Sequence, residues 1–174
     1  MGLKVGTVKL EKYNPEWKKM FEKEKNILKD KFGNIALNIE HIGSTSVEGL
    51  SSKPIIDIAV GINKLEDFSK IKEKFLLEPY SVKEDSDPGE ILIRKGPEDN
   101  RTHFIHVMEK DSDRYLNSIK FRDYLRKHEE AMQEYEELKK DLATKYADNR
   151  KMYTSSKNEY IKSIIKKAYK EQGK

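Results

Sequence analysis

Residues 40–60 read EHIGSTSVEGLSSKPIIDIAV and carry the strongest structural signal in the chain. They predict a strand, a turn at Gly43 and Ser44, a short helix, and then a buried strand over residues 54–62. A Gly-Ser turn at the mouth of a helix presents backbone N–H groups and a hydroxyl group to an anion. Asp57, on the adjoining strand, can hold a divalent cation against that anion. The stretch therefore predicts phosphate chemistry.

These residues resemble the nucleotidyltransferase superfamily, in which an apolar-Gly-Ser turn precedes a strand with catalytic carboxylates. More narrowly, the chain resembles the GrpB family, and the resemblance extends to Tyr153, Lys157 and the apolar last helix. It implies the superfamily fold and leaves the reaction open, because the biochemical role of the family is poorly defined. The matching blocks, in chain order, are HIGSTSV (41–47), GL (49–50), KPIIDI (53–58), THFIHV (102–107) and FRDYLR (121–126).

One position departs from the superfamily pattern. Active transferases usually carry a second carboxylate two residues after the first, and here that position is Ala59. The Asp-x-Asp pair that clamps two metal ions in phosphoryl transfer is therefore absent. A later strand normally supplies a third carboxylate, and the corresponding stretch has His103 and His106 instead. Glu90 or Glu109 are candidate substitutes, but no spacing selects either, so the sequence does not favour two-metal transfer.

Length and composition predict one folding unit. The chain has 174 residues and no internal repeat, which suits a single domain with a substantial core. We predict a nucleotidyltransferase-like α/β core over residues 1–110, with C-terminal helices over residues 111–174 packed on it. Charged residues make up 38% and hydrophobic residues 36% of the chain, a balance typical of a compact protein with long, solvated helices.

Charge and cysteine content argue against several classes of function. Lys and Arg number 35 against 31 Asp and Glu, with the signs interspersed, so a solubilising surface is favoured over a nucleic-acid patch. The absence of Cys excludes disulfides, a thiolate nucleophile and a Cys-based zinc site. No apolar run approaches the length of a signal-peptide core or a membrane span, which predicts a cytoplasmic protein without a membrane partner. The oligomeric state stays open.

Hydrophobic periodicity predicts an α+β fold, with a mixed β-sheet flanked by helices and a C-terminal helical extension. From residue 111 onward the apolar positions follow helical spacing. The Asp-rich loop 85–89 is the segment that we expect to move or to contact a ligand. The other predicted elements are a strand over 5–10, a helix from the Asn14-Pro15 cap to Gly33, a strand over 35–42, a helix from the capping box Asn63/Glu66 to Pro79, a strand over 81–84, and a hairpin of 90–94 with 101–109.

Several side chains are candidates for binding the phosphorylated ligand together with Gly43 and Ser44. Thr45 continues the turn, and Lys53 at the mouth of the second strand would hold a phosphate as a point charge. Arg122 and Arg126 lie four residues apart on one helix, so they would fork a phosphate or carboxylate, or else bridge to a neighbouring Glu. Lys157 is a further candidate, at a position that the family resemblance makes noteworthy.

Asp57 and His106 are the candidate catalytic residues. An unpaired carboxylate on an apolar strand is costly, so Asp57 needs a partner, either Mg²⁺ or a salt bridge to Lys53 or to an Arg of the helical tail. His106 shares its strand face with Phe104 and Met108 if the strand alternates regularly, and would assist an acceptor hydroxyl. No organic cofactor is indicated.

The histidines provide an alternative metal site. His41, His103 and His106 lie on predicted strands, and three imidazoles around one ion would make a catalytic zinc-type centre. His103 and His106 are three residues apart, however, so on a regular strand they face opposite sides of the sheet unless a bulge intervenes.

The leading hypothesis is a nucleotidyltransferase-like protein that binds a nucleotide or another phosphorylated small molecule, with metal-dependent nucleotidyl transfer as the reaction. One alternative is a non-catalytic accessory module linked to coenzyme A or nucleotide metabolism, because members of the family occur fused to dephospho-coenzyme A kinase. The missing carboxylate at Ala59 favours this second view. The other alternative is a hydrolase that uses the histidine metal site.

Overall fold

The computed structural model describes residues 2–83 and 86–173. Within these ranges the strands form one mixed five-stranded sheet in the order β1-β2-β5-β4-β3. Strands β2 and β5 run parallel at its centre, and the other neighbouring strands are antiparallel. The sheet with its flanking helices confirms the predicted α+β fold. The strands are β1 (Asn38–Ile42), β2 (Ile56–Ile62), β3 (Tyr80–Val82), β4 (Glu90–Lys95) and β5 (His103–Glu109).

One face of the sheet packs on helix α1 (Glu16–Phe32) and forms the main core. Alternate residues of β2 supply the sheet side of this core, as expected for a strand buried on both faces. The helix supplies an apolar stripe at the spacing that its sequence predicts. The fully or nearly fully buried members are Trp17, Phe21, Leu28 and Phe32 on α1, and Ile56, Ile58, Val60 and Ile62 on β2.

The opposite face of the sheet is covered by the C-terminal helices, which are α2 (Asp113–Lys127), α3 (Glu129–Lys145), α4 (Arg150–Ser155) and α5 (Asn158–Glu171). Asp57, Ala59 and Gly61 of β2 point toward this layer. Gly61 lies against α2, because a Cβ atom at this position would be 3.2 Å from the ring of Tyr115. The helical prediction after residue 111 is confirmed, while the division at residue 110 stays a prediction.

The predicted strand over residues 5–10 is wrong. The backbone of this segment bonds to loops instead of a strand, since Val5 N–H donates to Glu98 and Val8 N–H donates to Ala147. Isolated bridges join Leu3 to Arg101 and Glu11 to Ser52 on either side of it. Residues 5–10, despite their β-like sequence pattern, therefore form an extended segment that hydrogen-bonds to two distant loops.

The predicted helix over residues 63–79 is replaced by two short 3-10 helices, Leu65–Lys70 and Lys72–Phe75. The predicted capping box does not form, because the Leu65 N–H group bonds to Glu109 Oε1 at 3.2 Å. The apolar residues still pack into the main core, so tertiary burial prevails over the local capping signal.

Two smaller differences concern strand limits. The predicted strand over 35–42 begins only at Asn38, because Gly33–Ile35 form a 3-10 turn. The predicted strand over 81–84 is β3, which ends at Val82, and its last predicted residue lies outside the described ranges. The predicted hairpin forms from β4 and β5. The loop 85–89, predicted to contact a ligand, is described only from residue 86 onward.

Candidate functional site

A cavity of about 810 Å³ lies between one part of the sheet and the C-terminal helices. The sheet contributes Asp57 and His106 to its floor, and the Gly-Ser turn contributes Ser44 to one wall. Helix α4 contributes Arg150 and Tyr153, helix α5 contributes apolar side chains, and Lys157 lies between the two helices. The structure thus brings together residues that are far apart in sequence, and the candidate catalytic pair Asp57 and His106 shares this cavity.

The turn after β1 lies directly against Asp57. Gly43 has a φ of 68° and a ψ of −174°, a conformation that is essentially restricted to glycine. A Cβ atom at this position would lie 2.8 Å from Asp57 Oδ2. The turn is closed by Ser46, whose hydroxyl donates to the Gly43 carbonyl at 2.6 Å. Glycine is therefore required at position 43 for two reasons, the backbone angles and the close approach of the Asp57 carboxylate.

The imidazole ring of His106 lies between two carboxylates in this cavity and contacts both. Its Nε2 atom lies 3.3 Å from Asp57 Oδ1, and its Nδ1 atom lies 3.3 Å from Glu90 Oε2. Burial alone would lower the pKa of His106, but the hydrogen bonds with the two carboxylates outweigh it and raise the pKa to about 9. The charged imidazole in turn holds the pKa of Asp57 and of Glu90 below their ordinary values, against the effect of burial. At neutral pH the group beside Asp57 is a cation.

Two lysines converge on one aromatic ring at the same side of the cavity. The ammonium of Lys157 lies 4.2 Å from the ring centre of Tyr153, and that of Lys53 lies 5.5 Å from it. Burial and the charge of Lys53 together lower the pKa of Lys157 to about 7, although the charge of Asp57 opposes them. Burial likewise lowers the pKa of Lys53 to about 8. In the described chain, neither lysine forms a salt bridge within 4.0 Å.

Two further basic side chains, Lys139 and Arg150, lie near these lysines. Lys139 is buried behind the cavity wall and donates a hydrogen bond to the Ser51 carbonyl. Burial and the nearby Lys157 lower the pKa of Lys139 to about 6. Arg150 lines the cavity while donating to the carbonyls of Thr7 at 3.0 Å and Lys4 at 2.9 Å. The sequence offers no local signal for Arg150, since its position depends on how α4 packs on the chain start.

The predicted phosphate fork of Arg122 and Arg126 does not form in the cavity. Arg122 is buried and committed to Glu40 at 2.7 Å, to Asp123 at 2.8 Å and to the His41 carbonyl at 2.9 Å. These contacts tie α2 to β1 and occupy the Nε and Nη1 donors of Arg122 within the protein. The alternative, an internal bridge, is correct in kind, although the acidic partners are Glu40 and Asp123 instead of a neighbouring Glu.

Arg126 and Thr45 lie on the other side of the Gly-Ser turn. Arg126 donates to the Ser46 carbonyl at 2.8 and 3.1 Å, and Thr45 Oγ1 lies 2.9 Å from His41 Nε2. These side chains line a separate cavity of about 790 Å³ between α1 and the junction of α2 with α3. The structure therefore divides the predicted ligand-binding residues between two cavities.

The three histidines do not share a site. His41 stacks on Phe21 at 4.8 Å, on the α1 face of the sheet, and His103 points to the same face. His106 points to the opposite face, as the alternation of a regular strand requires. Burial lowers the pKa of His41 and of His103 to about 4, so both are neutral. Among residues 2–83 and 86–173, no cluster of three or more potential metal ligands is found, and the predicted three-histidine centre does not form.

A model of the family described as GrpB protein matches residues 7–167. The chain belongs to the GrpB family. It is 35% identical over 170 residues to the glutamate-rich protein GrpB of Alkalihalophilus pseudofirmus, covering 95% of this chain and 98% of that protein. It is 36% identical over 157 residues to the UPF0157 protein YqkA of Bacillus subtilis, covering 90% of this chain and 46% of that protein.

The fold is also that of a solved family member. The crystal structure of the conserved protein GrpB from Enterococcus faecalis matches with a TM-score of 0.86 and 34% identity, over 95% of this chain and 100% of that one. The predicted family is thereby confirmed, and its placement in the nucleotidyltransferase superfamily stays a prediction. In the part of the chain that the structure describes, no helix has the length and apolar character needed to cross a membrane.

Proposed function

We propose that this protein binds the phosphate group of a small molecule, such as a nucleotide, in the cavity between the sheet and the C-terminal helices. The observation that carries the proposal is the pair Lys53 and Lys157, which flank Tyr153 and share Asp57 as the acidic group that acts on both. Two ammonium groups that face one carboxylate leave positive charge uncompensated. A bound anion supplies the missing charge.

The other charged groups of the cavity support an anion at this position. His106 carries positive charge but is already balanced by Asp57 and Glu90. Arg114 lies 3.4 Å from the same Glu90, so this far end of the cavity is internally neutralised. The uncompensated charge is therefore concentrated on the side of Lys53 and Lys157, in the cavity that Ser44 also lines. A phosphate there would receive charge-assisted hydrogen bonds from both lysines.

The residues around Asp57 do not fit a resident magnesium ion. Its Oδ1 atom faces a charged imidazole, and the charges of Lys53 and Lys157 also act on it. Mg²⁺ in proteins is commonly held by one or two carboxylates together with substrate phosphates. A magnesium ion that enters with a polyphosphate ligand and contacts Asp57 would satisfy that pattern, so Mg²⁺ would arrive as part of the ligand.

We propose ligand binding in preference to nucleotidyl transfer because Ala59 is the residue that pairs with His106. Position 59, where the superfamily pattern has its second carboxylate, is a fully buried alanine that pairs with His106 across β2 and β5. This arrangement favours the accessory-module hypothesis. If transfer takes place, His106 is the group placed to hold a proton near the acceptor, with Asp57 and Glu90 fixing its ring.

The test is calorimetric titration of the four nucleoside triphosphates and coenzyme A precursors, with and without Mg²⁺. Wild type is compared with Asp57→Asn, Lys157→Gln and the control Lys166→Gln, which removes an exposed lysine from α5. We expect saturable binding that Lys157→Gln weakens at least tenfold and that Lys166→Gln leaves unchanged. Removing one charge-assisted contact of about 1.5–3 kcal/mol predicts that loss.

The variant Asp57→Asn distinguishes binding of the metal-free ligand from binding of the ligand together with Mg²⁺. Without Mg²⁺ the variant loses a negative charge next to the anion, so affinity for the metal-free ligand should rise. With Mg²⁺ the variant loses the carboxylate that contacts the ion, so any magnesium-dependent gain should disappear. Absence of binding in wild type for every phosphorylated ligand, or equal affinities in Lys157→Gln and wild type, would reject the proposed site.

A further inference from the structure

Helix α5, together with the residue that precedes it, presents one continuous face to the cavity, and its character changes along the chain. Lys157, Ile161 and Ile165 are spaced four residues apart, so they lie on one side of the helix, and all three line the cavity. At about 1.5 Å per residue, the face extends about 12 Å from the cationic end to the last isoleucine. Both isoleucines are only partly buried. The cavity wall therefore has the proposed phosphate-binding residue Lys157 at one end and an apolar surface along α5.

The sheet floor beneath this face carries apolar side chains beside its charged pair Asp57 and His106. Phe104 pairs with Asp57 across β2 and β5, and Leu92 pairs with His106 across β4 and β5, so both flank the charged pair. Both line the cavity and are partly exposed. In the described chain, neither belongs to any of the buried apolar clusters that form the core. Their apolar surface is thus turned toward the cavity instead of toward other side chains.

We propose that the natural ligand is a phosphate monoester of an elongated apolar group, with its phosphate between Lys53 and Lys157 and its apolar part between Leu92 and Phe104 on the floor and α5 above. This inference rests on the proposed function, because the phosphate anchor is the same. It adds the chemistry of the remainder of the ligand. A strongly hydrated sugar phosphate would leave the apolar floor and roof without complementary contacts, whereas an apolar chain buries them.

The experiment is a homologous series of methyl, butyl and octyl phosphate, titrated calorimetrically below their micelle concentrations. Ribose 5-phosphate and inorganic phosphate are the polar references. Burying one methylene contributes about 0.8 kcal/mol, which corresponds to about fourfold in affinity when burial is complete. Because the cavity is open to solvent, we expect roughly threefold per methylene between methyl and butyl phosphate, with a further gain for octyl phosphate.

Two variants locate the apolar contacts. Ile161→Thr keeps the branched shape but adds a hydroxyl to the α5 face, and Leu92→Thr adds one to the floor with a residue suited to a strand. Each should reduce the gain per methylene while leaving the affinity for inorganic phosphate unchanged. Lys167→Thr, at an exposed position on α5, is the control for helix propensity and should keep the full gain. Lys157→Gln should weaken the whole series by a common factor.

The outcomes separate this inference from the proposed function. If inorganic and methyl phosphate bind but affinity does not grow with chain length, the apolar ligand is rejected and the phosphate site stands. If ribose 5-phosphate binds more tightly than butyl phosphate, the inference is also rejected. If no phosphate binds, both proposals fall. A gain per methylene that is reduced by both threonine variants in the cavity, and kept by the control on α5, would support the assignment.

Discussion

Replacing Lys157 with methionine is expected to stabilise the protein at pH 7 and to remove the proposed anion binding. The lysine is 9% exposed, and burial lowers its pKa from 10.5 to about 7. Each pH unit between these values corresponds to about 1.4 kcal/mol, so the full difference is on the order of 5 kcal/mol. Water in the cavity screens part of this, and we expect a gain on the order of 2 kcal/mol in the free energy of unfolding. Methionine has a similar length and can remain packed on Tyr153.

The sign of the effect can be followed through pH. Because the folded pKa lies below the unfolded value, the unfolded state binds more protons between about pH 7 and pH 10.5. The stability of wild type therefore gains from Lys157 as the pH rises through this window, and the cost of the lysine is largest at or below pH 7. The advantage of the methionine variant should accordingly shrink as the pH approaches 10.

Urea unfolding of wild type and Lys157→Met at pH 7, 8 and 9 measures this. Lys166→Met serves as the control, since this lysine is exposed on α5 and should change stability by less than about 0.5 kcal/mol at every pH. A variant that is less stable than wild type at pH 7, or an advantage that does not change with pH, would refute the reasoning. The expected pattern would show that the chain retains a destabilising lysine at the place where a ligand is proposed to bind.

Three further outcomes are expected. Gly43→Ala should destabilise by about 1–3 kcal/mol in thermal or urea unfolding, and more than Gly33→Ala, which also has a positive φ but has no atom within 4 Å of the added carbon. Sulfate binding to wild type, followed by calorimetry, should weaken as the pH rises from 6 to 9, because the two cavity lysines lose their protons at about 7 and 8. In Glu90→Gln, NMR titration should show the pKa of His106 falling from about 9 toward its ordinary value, because one of its two carboxylate partners is lost; an unchanged pKa would mean that Asp57 alone sets it.

The parts of the fold that were predictable have strong local signals. The stretch at residues 40–60 contains parts of two strands, a glycine with a special backbone conformation and a carboxylate, in the predicted order, although the second strand begins at Ile56 instead of residue 54. The alternation along β5 also assigns His106 and His103 to opposite faces. In contrast, the segment 5–10 has β-type composition but bonds to loops instead of to a neighbouring strand, so its pattern alone misleads.

The composition of the candidate site was less accessible, because it depends on the register of strands and the packing of helices. Glu90 reaches His106 only because β4 and β5 pair so that the two residues lie on one face. Arg150 lies on α4, near the end of the sequence, and it reaches the cavity only through the packing of that helix. Arg122 has the spacing of a phosphate fork, but a buried Arg next to an acidic strand residue satisfies itself internally. Side-chain pairings of this kind depend on tertiary contacts, and the hydrophobic periodicity of the sequence does not predict them.

The residues of the cavity floor explain why an anion, and not a resident metal ion, is the proposed ligand. The Gly-Ser turn and the first carboxylate are both present, and they lie against each other at Gly43 and Asp57. At the place of a second carboxylate stands Ala59, and its small side chain leaves room for His106 from the neighbouring strand to reach Asp57. A second carboxylate would add negative charge and attract a cation, whereas the charged imidazole neutralises the first. The electrostatic sign of the site then depends on the lysines on the other wall, and an anion is the ligand proposed to balance their charge.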